Sequence, residues 1–417
     1  MAGVQPGQGR RILVIEPMGA GLGLVRVGRE LGFDIVVATF NGDDRVISAD
    51  DLALAELVVQ VDTNDEAALT EIAVDLHARR PFTAILPGFE FYVDVVARLA
   101  DRLGLPGLPA ASVLALRDKA VMRERAQAAG LRVPRHVRAT SRAELLAAAE
   151  VVGFPAVLKP TDSAGSVHVS RVDGTEELLQ RYEFMTSDPR TDLGRRLDGK
   201  VLLEELVAGP EVSVEGYVTG DEVVIVSVTA KLLGPEPYFV EVGHIVQADL
   251  DPAVRADVES YVDELCRALR LTTGPFHCEL RLRPDGPVLI EIGARLPGGH
   301  IADLVELVTG VSLPRVMLAA YTGLDLDQVA ALGTPKVKCA GLLGFTATGE
   351  RFSGAHGLDE LRDSPDVLEL QVYVRPGDPL PRPDDFRARL GHVIFHADSY
   401  AAALERWRAI EREVRFV

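Results

Sequence analysis

Residues 276–294 read FHCELRLRPDGPVLIEIGA, and the rest of the chain can be read outward from them. Phe276, Cys278, Leu280 and Leu282 alternate with His277, Glu279, Arg281 and Arg283, the period-two pattern of a half-buried strand. Past Pro284, Asp285 and Gly286 the pattern resumes, with Val288, Ile290 and Ile292 on the apolar face. A three-residue hairpin loop with Gly286 in the left-handed position sets Glu279 directly opposite Glu291 on the polar face. Carboxylates paired in this way have Cβ atoms about 4.5–5.5 Å apart, and they repel unless a cation or a proton lies between them. A hard divalent ion with oxygen ligands, above all Mg2+, suits the pair; a solvated hairpin face neutralised by Arg281 and Arg283 is the alternative. Cys278 falls on the core side as a packing residue.

Upstream, RILVIE (residues 11–16) is a short apolar run, followed by MGAGLG (18–23), a helical pattern over Leu24–Leu31 and a second run over Ile35–Thr39. That sequence of elements closes a βαβ unit. Leu57–Val61 and Ala84–Pro87 read as further buried strands around a helix over Glu66–Arg79, giving an open parallel α/β region that ends near Leu108. Gly19, Gly21 and Gly23 invite a dinucleotide reading, but the spacing is not GxGxxG and no acidic residue ends the second strand. A tight turn permitting close packing fits the three glycines better. Glu90 follows Pro87, Gly88 and Phe89, where the strand ends of open α/β sheets meet ligands.

From Ser112 onward the pattern predicts a helix over Leu116–Ala129, a helix over Leu145–Val152 and a strand over Ala156–Lys159. Strands follow at Val201–Val207, Glu211–Val218 and Glu222–Ala230, then helices over Ala253–Leu269 and near His300–Val308. The tail has its own strands near Val337–Phe345 and His392–Phe395, and an amphipathic helix over Tyr400–Glu413 whose Trp407 packs against the tail.

The 417 residues are long enough for two to four domains, and 62 acidic against 44 basic side chains leave a net charge of −18. Such a balance speaks against a general nucleic-acid or anionic-membrane binder, so any phosphate site must be local. The polar N-terminus does not read as a signal peptide, and no apolar run of about 18 residues is present to span a membrane. Three cysteines (Cys266, Cys278, Cys339) without CxxC spacing exclude a disulfide framework or structural zinc, and a reducing cytoplasm is the expected location. Only six basic residues are lysine, at 119, 159, 200, 231, 336 and 338, which makes each worth examining.

Lys159 ends a strand and precedes a small polar loop containing Ser163, Gly165 and Ser166. Backbone N–H groups of such a loop can turn toward phosphate oxygens while the lysine supplies a point charge; an ordinary strand-to-turn connection is the alternative. Lys119 opens its helix. The segment Glu204, Glu205, Leu206, Val207 ends a strand, and Glu211 follows a few residues on; an adenine and a ribose fit such a linker, as does a plain charged strand end.

Taken in order, DKAVMR (118–123), VLKP (157–160), LEELVAGPE (203–211) and the paired FHCEL and LIEIGAR segments resemble the ATP-grasp superfamily over nearly the whole chain. The spacing of Glu279, Glu291 and Arg295 is the most specific element. EIGARLPGG (291–299) with EVGHIVQADL (241–250) is similar to the carboxylate–amine ligases that make dipeptides, including L-amino-acid ligases. The resemblance implies an ATP-grasp fold of mixed α/β and α+β class. Its parts would be an N-terminal α/β substrate domain (1–111), small lobes carrying the phosphate loop (112–200), a central lobe with the metal hairpin (201–324) and a C-terminal α+β subdomain (325–417).

The resemblance further implies ATP with two Mg2+ ions, Mn2+ serving as a substitute, held by Glu279 and Glu291. Lys119 and Lys159 would be phosphate ligands, with Ser163, Gly165 and Ser166 in the covering loop. Glu204 and Val207 would contact adenine through their backbone, with Glu205 and Leu206 between them, and Glu211 would take the ribose. Arg295 would hold the substrate carboxylate and then the oxyanion, and His244 would stand beside the acyl group. The implied reaction joins a small carboxylate, activated as an acyl phosphate, to an amine, with amino acids the expected substrates and a homodimer the expected assembly; the alternatives are a different acceptor, bicarbonate or a carrier-protein thiol, and a catalytically inactive nucleotide-binding protein. Two positions depart from the family pattern. Gly293 stands where many ATP-grasp enzymes carry Asn, and Gln247 where related sequences often have proline.

Overall fold

The computed structural model describes residues 5–188, 192–197, 199–234, 236–382 and 384–417. Among them the chain forms three principal sheets. The first is parallel, in the order Leu57–Gln60, Asp34–Thr39, Arg11–Ile15, Ala84–Pro87, and every residue of Arg11–Ile15 is buried. Such burial on both faces needs helices on both sides, which explains why this strand reads as a continuous apolar run. Leu57–Gln60 was expected to be buried as well. It is instead the edge strand, with Leu57 and Val58 each 38% exposed. The glycine-rich turn is a tight connection: a Cβ on Gly21 would lie 1.9 Å from the Gly88 carbonyl oxygen.

The second sheet is small and antiparallel, in the order His136–Ala139, Val201–Glu205, Ala156–Pro160, Ser170–Val172. Its middle strand ends at Glu205, two residues short of the expected Val207. The helix expected from Leu116 begins later, at Lys119, because Asp118 caps it by accepting bonds from the N–H groups of Ala120 and Val121. Residues Val113–Leu116 form a separate turn of 3-10 helix.

The third sheet has eight antiparallel strands, in the order Gly286–Gly293, Thr273–Arg283, Glu211–Thr219, Glu222–Leu233, Glu241–Val246, Cys339–Phe345, Gly391–Ala397, Val367–Val372. The tail strands Cys339–Phe345, Gly391–Ala397 and Val367–Val372 therefore extend the sheet that carries the glutamate hairpin. Trp407 presses on that junction: a Cβ on Gly243 would lie 2.5 Å from its Nε1. Helix Pro252–Leu269 lies under the hairpin, its start set by Asp251 bonding the Ala253 N–H and by Pro252 in the first turn. It buries Val258, Val262, Leu265 and Leu269 in one core with Leu280, Leu289 and Ile292, each side chain contributing about 1.5–3 kcal/mol. Among the described residues, no helix is long and apolar enough to cross a membrane.

Candidate active site

The hairpin puts Glu279 directly opposite Glu291, as the alternation predicts. Its turn is tighter than expected, since Arg283 pairs with Gly286 and only Pro284 and Asp285 lie between them. The register then shifts between Glu279 and Leu280, leaving Ile290 as the extra residue of a bulge. The bulge turns Leu289 into the core in place of Ile290, which instead lines a cleft of about 530 Å³. Three lysines, the two opposed glutamates and Arg295 converge on this cleft between the sheets.

Each metal-type carboxylate meets an ammonium. Lys119 Nζ lies 3.0 Å from Glu291 Oε1 and donates to the Ser163 carbonyl oxygen at 2.7 Å. Lys231, which the sequence reading counted but gave no role, bonds Glu279 and lies 3.5 Å from Glu211 and 3.2 Å from Glu241. Burial alone would lower its pKa, but the three carboxylates together raise it well above the usual lysine value. Glu279 is the mirror case: burial would raise it, while Lys231 and His277 hold it well below the carboxylate range. His277 bridges Glu215 (2.9 Å) and Glu279 (3.1 Å); burial works against its protonation, yet the two carboxylates push it up to about 9. Glu211, expected to take a ribose, is pushed up by burial and by Glu279 against the pull of Lys231; it also accepts from Arg281 Nε at 2.8 Å.

Lys159 is 5% exposed and forms an ion pair with the Glu204 carboxylate, which also accepts from Arg123 Nε at 2.7 Å. Burial lowers the Lys159 pKa, partly offset by Glu204. Glu204 thus serves through its side chain. The linker Glu204–Val207 is not among the residues lining the cleft: the N–H groups of Glu205 and Leu206 bond the carbonyls of Arg135 and Pro155, and the Glu205 carboxylate pairs with Arg135. Ser163, Gly165 and Ser166 do line the cleft, and Gly165 and Ser166 both have left-handed backbones (φ +63° and +60°). The Phe386 ring, from the tail, lies against Gly165: a Cβ there would be 2.5 Å from it.

Arg295 bonds Glu90 through Nε and the Leu296 carbonyl through Nη1 (2.9 Å), and its Nη2 has no partner among the described residues. Glu90 is 1% exposed. Burial would raise its pKa, but Arg295 and Arg117 bring it down to about 2. A Cβ on residue 293 would lie 2.7 Å from Glu90 Oε2, so Gly293 leaves the room that this carboxylate fills. His244 does not line the cleft, contrary to expectation. It is fully buried one layer behind, with Nε2 donating to the Gly299 carbonyl (2.6 Å) and Nδ1 against Glu241. The Val246–Gln247 peptide bond is cis.

Would these residues accept Mg2+? The described residues contain no group of three or more His, Cys, Asp or Glu side chains arranged to hold a metal by themselves. Mg2+ is usually held by one or two carboxylates together with phosphate oxygens and water, so the opposed pair suits it. The ammonium groups of Lys119 and Lys231 mark where positive charge belongs beside that pair.

Three families match the chain: the ATP-grasp N-terminal domain over residues 26–107, the ATP-grasp domain over 152–303, and the L-amino acid ligase C-terminal domain 2 over 345–417. The chain therefore carries ATP-grasp domains, followed by the tail domain of L-amino acid ligases. An uncharacterized protein of Sinorhizobium fredii is 29% identical over 83% of this chain and 70% of that one. Alanine–anticapsin ligase of Bacillus subtilis is 25% identical over 58% of this chain and 55% of its own length, so the match spans about half of that relative. In fold, the chain is similar to the L-amino acid ligase of Bacillus licheniformis, with a TM-score of 0.82, 23% identity and coverage of 98% of this chain and 99% of that one.

Proposed function

We propose that the protein joins a small carboxylate, most simply an amino acid, to an amine, using ATP and releasing ADP and phosphate. The observation that carries this reading is the meeting of Lys119, Lys159 and Lys231, the opposed Glu279 and Glu291, and the pinned Arg295 in one cleft. Lys119 and Lys159, with the Ser163–Ser166 loop, gather the ATP phosphates, where point charges and backbone N–H groups act together. Glu279 and Glu291 would hold Mg2+, which supplies charge neutralisation at the phosphates when bound. Glu211 is the proposed ribose contact, and Glu204 acts through its carboxylate by holding Lys159.

Arg295 presents Nη2 to the cleft while its other nitrogens are fixed, so it can orient a substrate carboxylate with little loss of rotamer freedom. A carboxylate oxygen attacks the γ-phosphorus and ADP leaves, giving an acyl phosphate. The amine then attacks the acyl carbon, the oxyanion forms beside Arg295, and phosphate departs. His244 acts from behind the wall by holding the Gly299 carbonyl. Chromatography of nucleotides after incubation with amino-acid pairs tests the reading. ADP and phosphate are expected only when both partners are present, and AMP as the main product would overturn it.

A further inference from the structure

Cationic side chains line the cleft from every side, and nearly all are matched. Lys119 pairs with Glu291, Lys159 with Glu204, Lys231 with Glu279, Arg295 with Glu90, His277 with Glu215, and Arg387 with Asp385. Arg389 is the exception: among the described residues it makes no ion pair, and its one side-chain hydrogen bond runs from Nη2 to the Glu241 backbone carbonyl at 3.2 Å. It is nonetheless held in place. Its arm lies in a slot opened by Gly344, where a Cβ would be 2.7 Å from Nε, and its Nη1 is 3.9 Å from the Cβ position of Gly299. Gly299 closes the loop that Arg295 opens, so the two guanidinium groups flank one short loop. Tyr373 and Phe386, 50% and 45% exposed, line the cleft beside Arg389.

A partly buried guanidinium that is ordered but has no anion favours an anionic ligand group, because its desolvation is otherwise uncompensated. The phosphate side already has Lys119 and Lys159, and Arg295 is placed for the carboxylate under activation. We propose that Arg389 is the residue that binds the carboxylate of an amino-acid acceptor, and so sets the preference for acceptors with a free carboxylate. This inference rests on the ligase reading above and adds the residue that selects the second substrate. The planar fork of arginine suits a carboxylate bidentately, while the aromatic edges of Tyr373 and Phe386 leave room for varied side chains.

The test uses the most active amino-acid pair found by phosphate release, with the acceptor supplied either as the free acid or as its carboxamide. Wild-type protein should prefer the acid by 10-fold or more in kcat/KM. Arg389→Ala should lower kcat/KM for the acid about 10- to 100-fold, mainly through the acceptor KM, and collapse the preference for acid over amide. Arg389→Lys, which keeps the charge but not the fork, should fall between the two, and it carries the test if the alanine variant does not fold. An equal loss with acid and amide, or a rise confined to the KM of ATP or of the activated carboxylate, overturns the proposal. Wild-type protein that releases no ADP with any pair defeats the ligase reading itself, before any variant is made.

Discussion

Two buried glutamates each hold two cations, yet they do different work. Glu204 sits behind Lys159, 2% exposed, between Arg123 and that lysine. Arg123 is wholly buried and also bonds the Ile290 carbonyl, so this cluster ties the small sheet to the bulge of the metal-type hairpin. Glu90 comes from the N-terminal α/β region and holds Arg117 and Arg295; the Arg295 side chain is 21% exposed and turns an unpaired nitrogen to the cleft. The first cluster is closed on all sides, and the second has one face left for a ligand. Similar charges can therefore form a frame or a grip, depending on whether a donor is left unspent.

The largest effect should come from the frame. Glu204→Gln strips the charge from between two buried cations, and breaking such a cluster costs about 3–5 kcal/mol. Urea denaturation should show that loss; a midpoint within experimental error of wild type would mean that Glu204 is not structural.

The grip should respond in rate more than in stability. Arg295→Ala leaves Glu90 paired with Arg117, so the fold should lose little, whereas kcat should fall about 100- to 1,000-fold, as when an oxyanion donor is removed. ATP affinity, read by calorimetry, should stay within a few-fold of wild type. A variant that loses ATP binding and kcat together would place Arg295 with the nucleotide.

Acid should probe the charge on Glu90 directly. The Glu90 pKa is lowered from 4.5 to about 2 in the folded protein, so its stabilisation is fully present above 4.5 and is lost as pH falls through about 2. A displacement of that size corresponds to roughly 3 kcal/mol. Glu90→Gln should be less stable than wild type at pH 7, and the gap should close between pH 4.5 and pH 2. A gap independent of pH would show that packing, and not charge, makes Glu90 matter.

Much of this was open to sequence reading, and for identifiable reasons. Strict alternation on both arms of 276–294 set Glu279 against Glu291 within one residue of register, because a slip would have turned the apolar set outward. The bulge at Ile290 left no trace, since an apolar residue on either face satisfies the same pattern. Lys159 and its loop are contiguous in sequence and could be found; the dependence of Lys159 on Glu204 joins segments far apart and could not. Lys231 was conspicuous only as one of six lysines, because its carboxylate partners come from neighbouring strands of one sheet. Glu90 was suspected from its place after a strand end, but its grip on Arg295 spans 205 positions. Arg389 lies in the tail, whose strands read as a separate unit until the sheet order joined them to the hairpin.

The smallest effect asks why glycine stands at 293. In this chain a Cβ at that position would lie 2.7 Å from Glu90 Oε2, well inside van der Waals contact. The clashing atom ends a flexible side chain, which ordinarily would swing aside, but here Arg117 and Arg295 hold it. Gly293→Asn should therefore cost about 1–3 kcal/mol by overpacking. Glu90→Ala removes the obstacle, so in that background the same change should cost almost nothing. A double-mutant cycle on denaturation free energies would then give a coupling of at least about 1 kcal/mol, well above the few tenths expected of independent sites. A coupling near zero would mean that Glu90 yields freely, and the frame-and-grip contrast would lose its main support on the N-terminal side. If the coupling holds, glycine at 293 and glutamate at 90 are two halves of one arrangement. The hairpin gives up a side chain so that the N-terminal region can set the angle at which Arg295 meets its substrate.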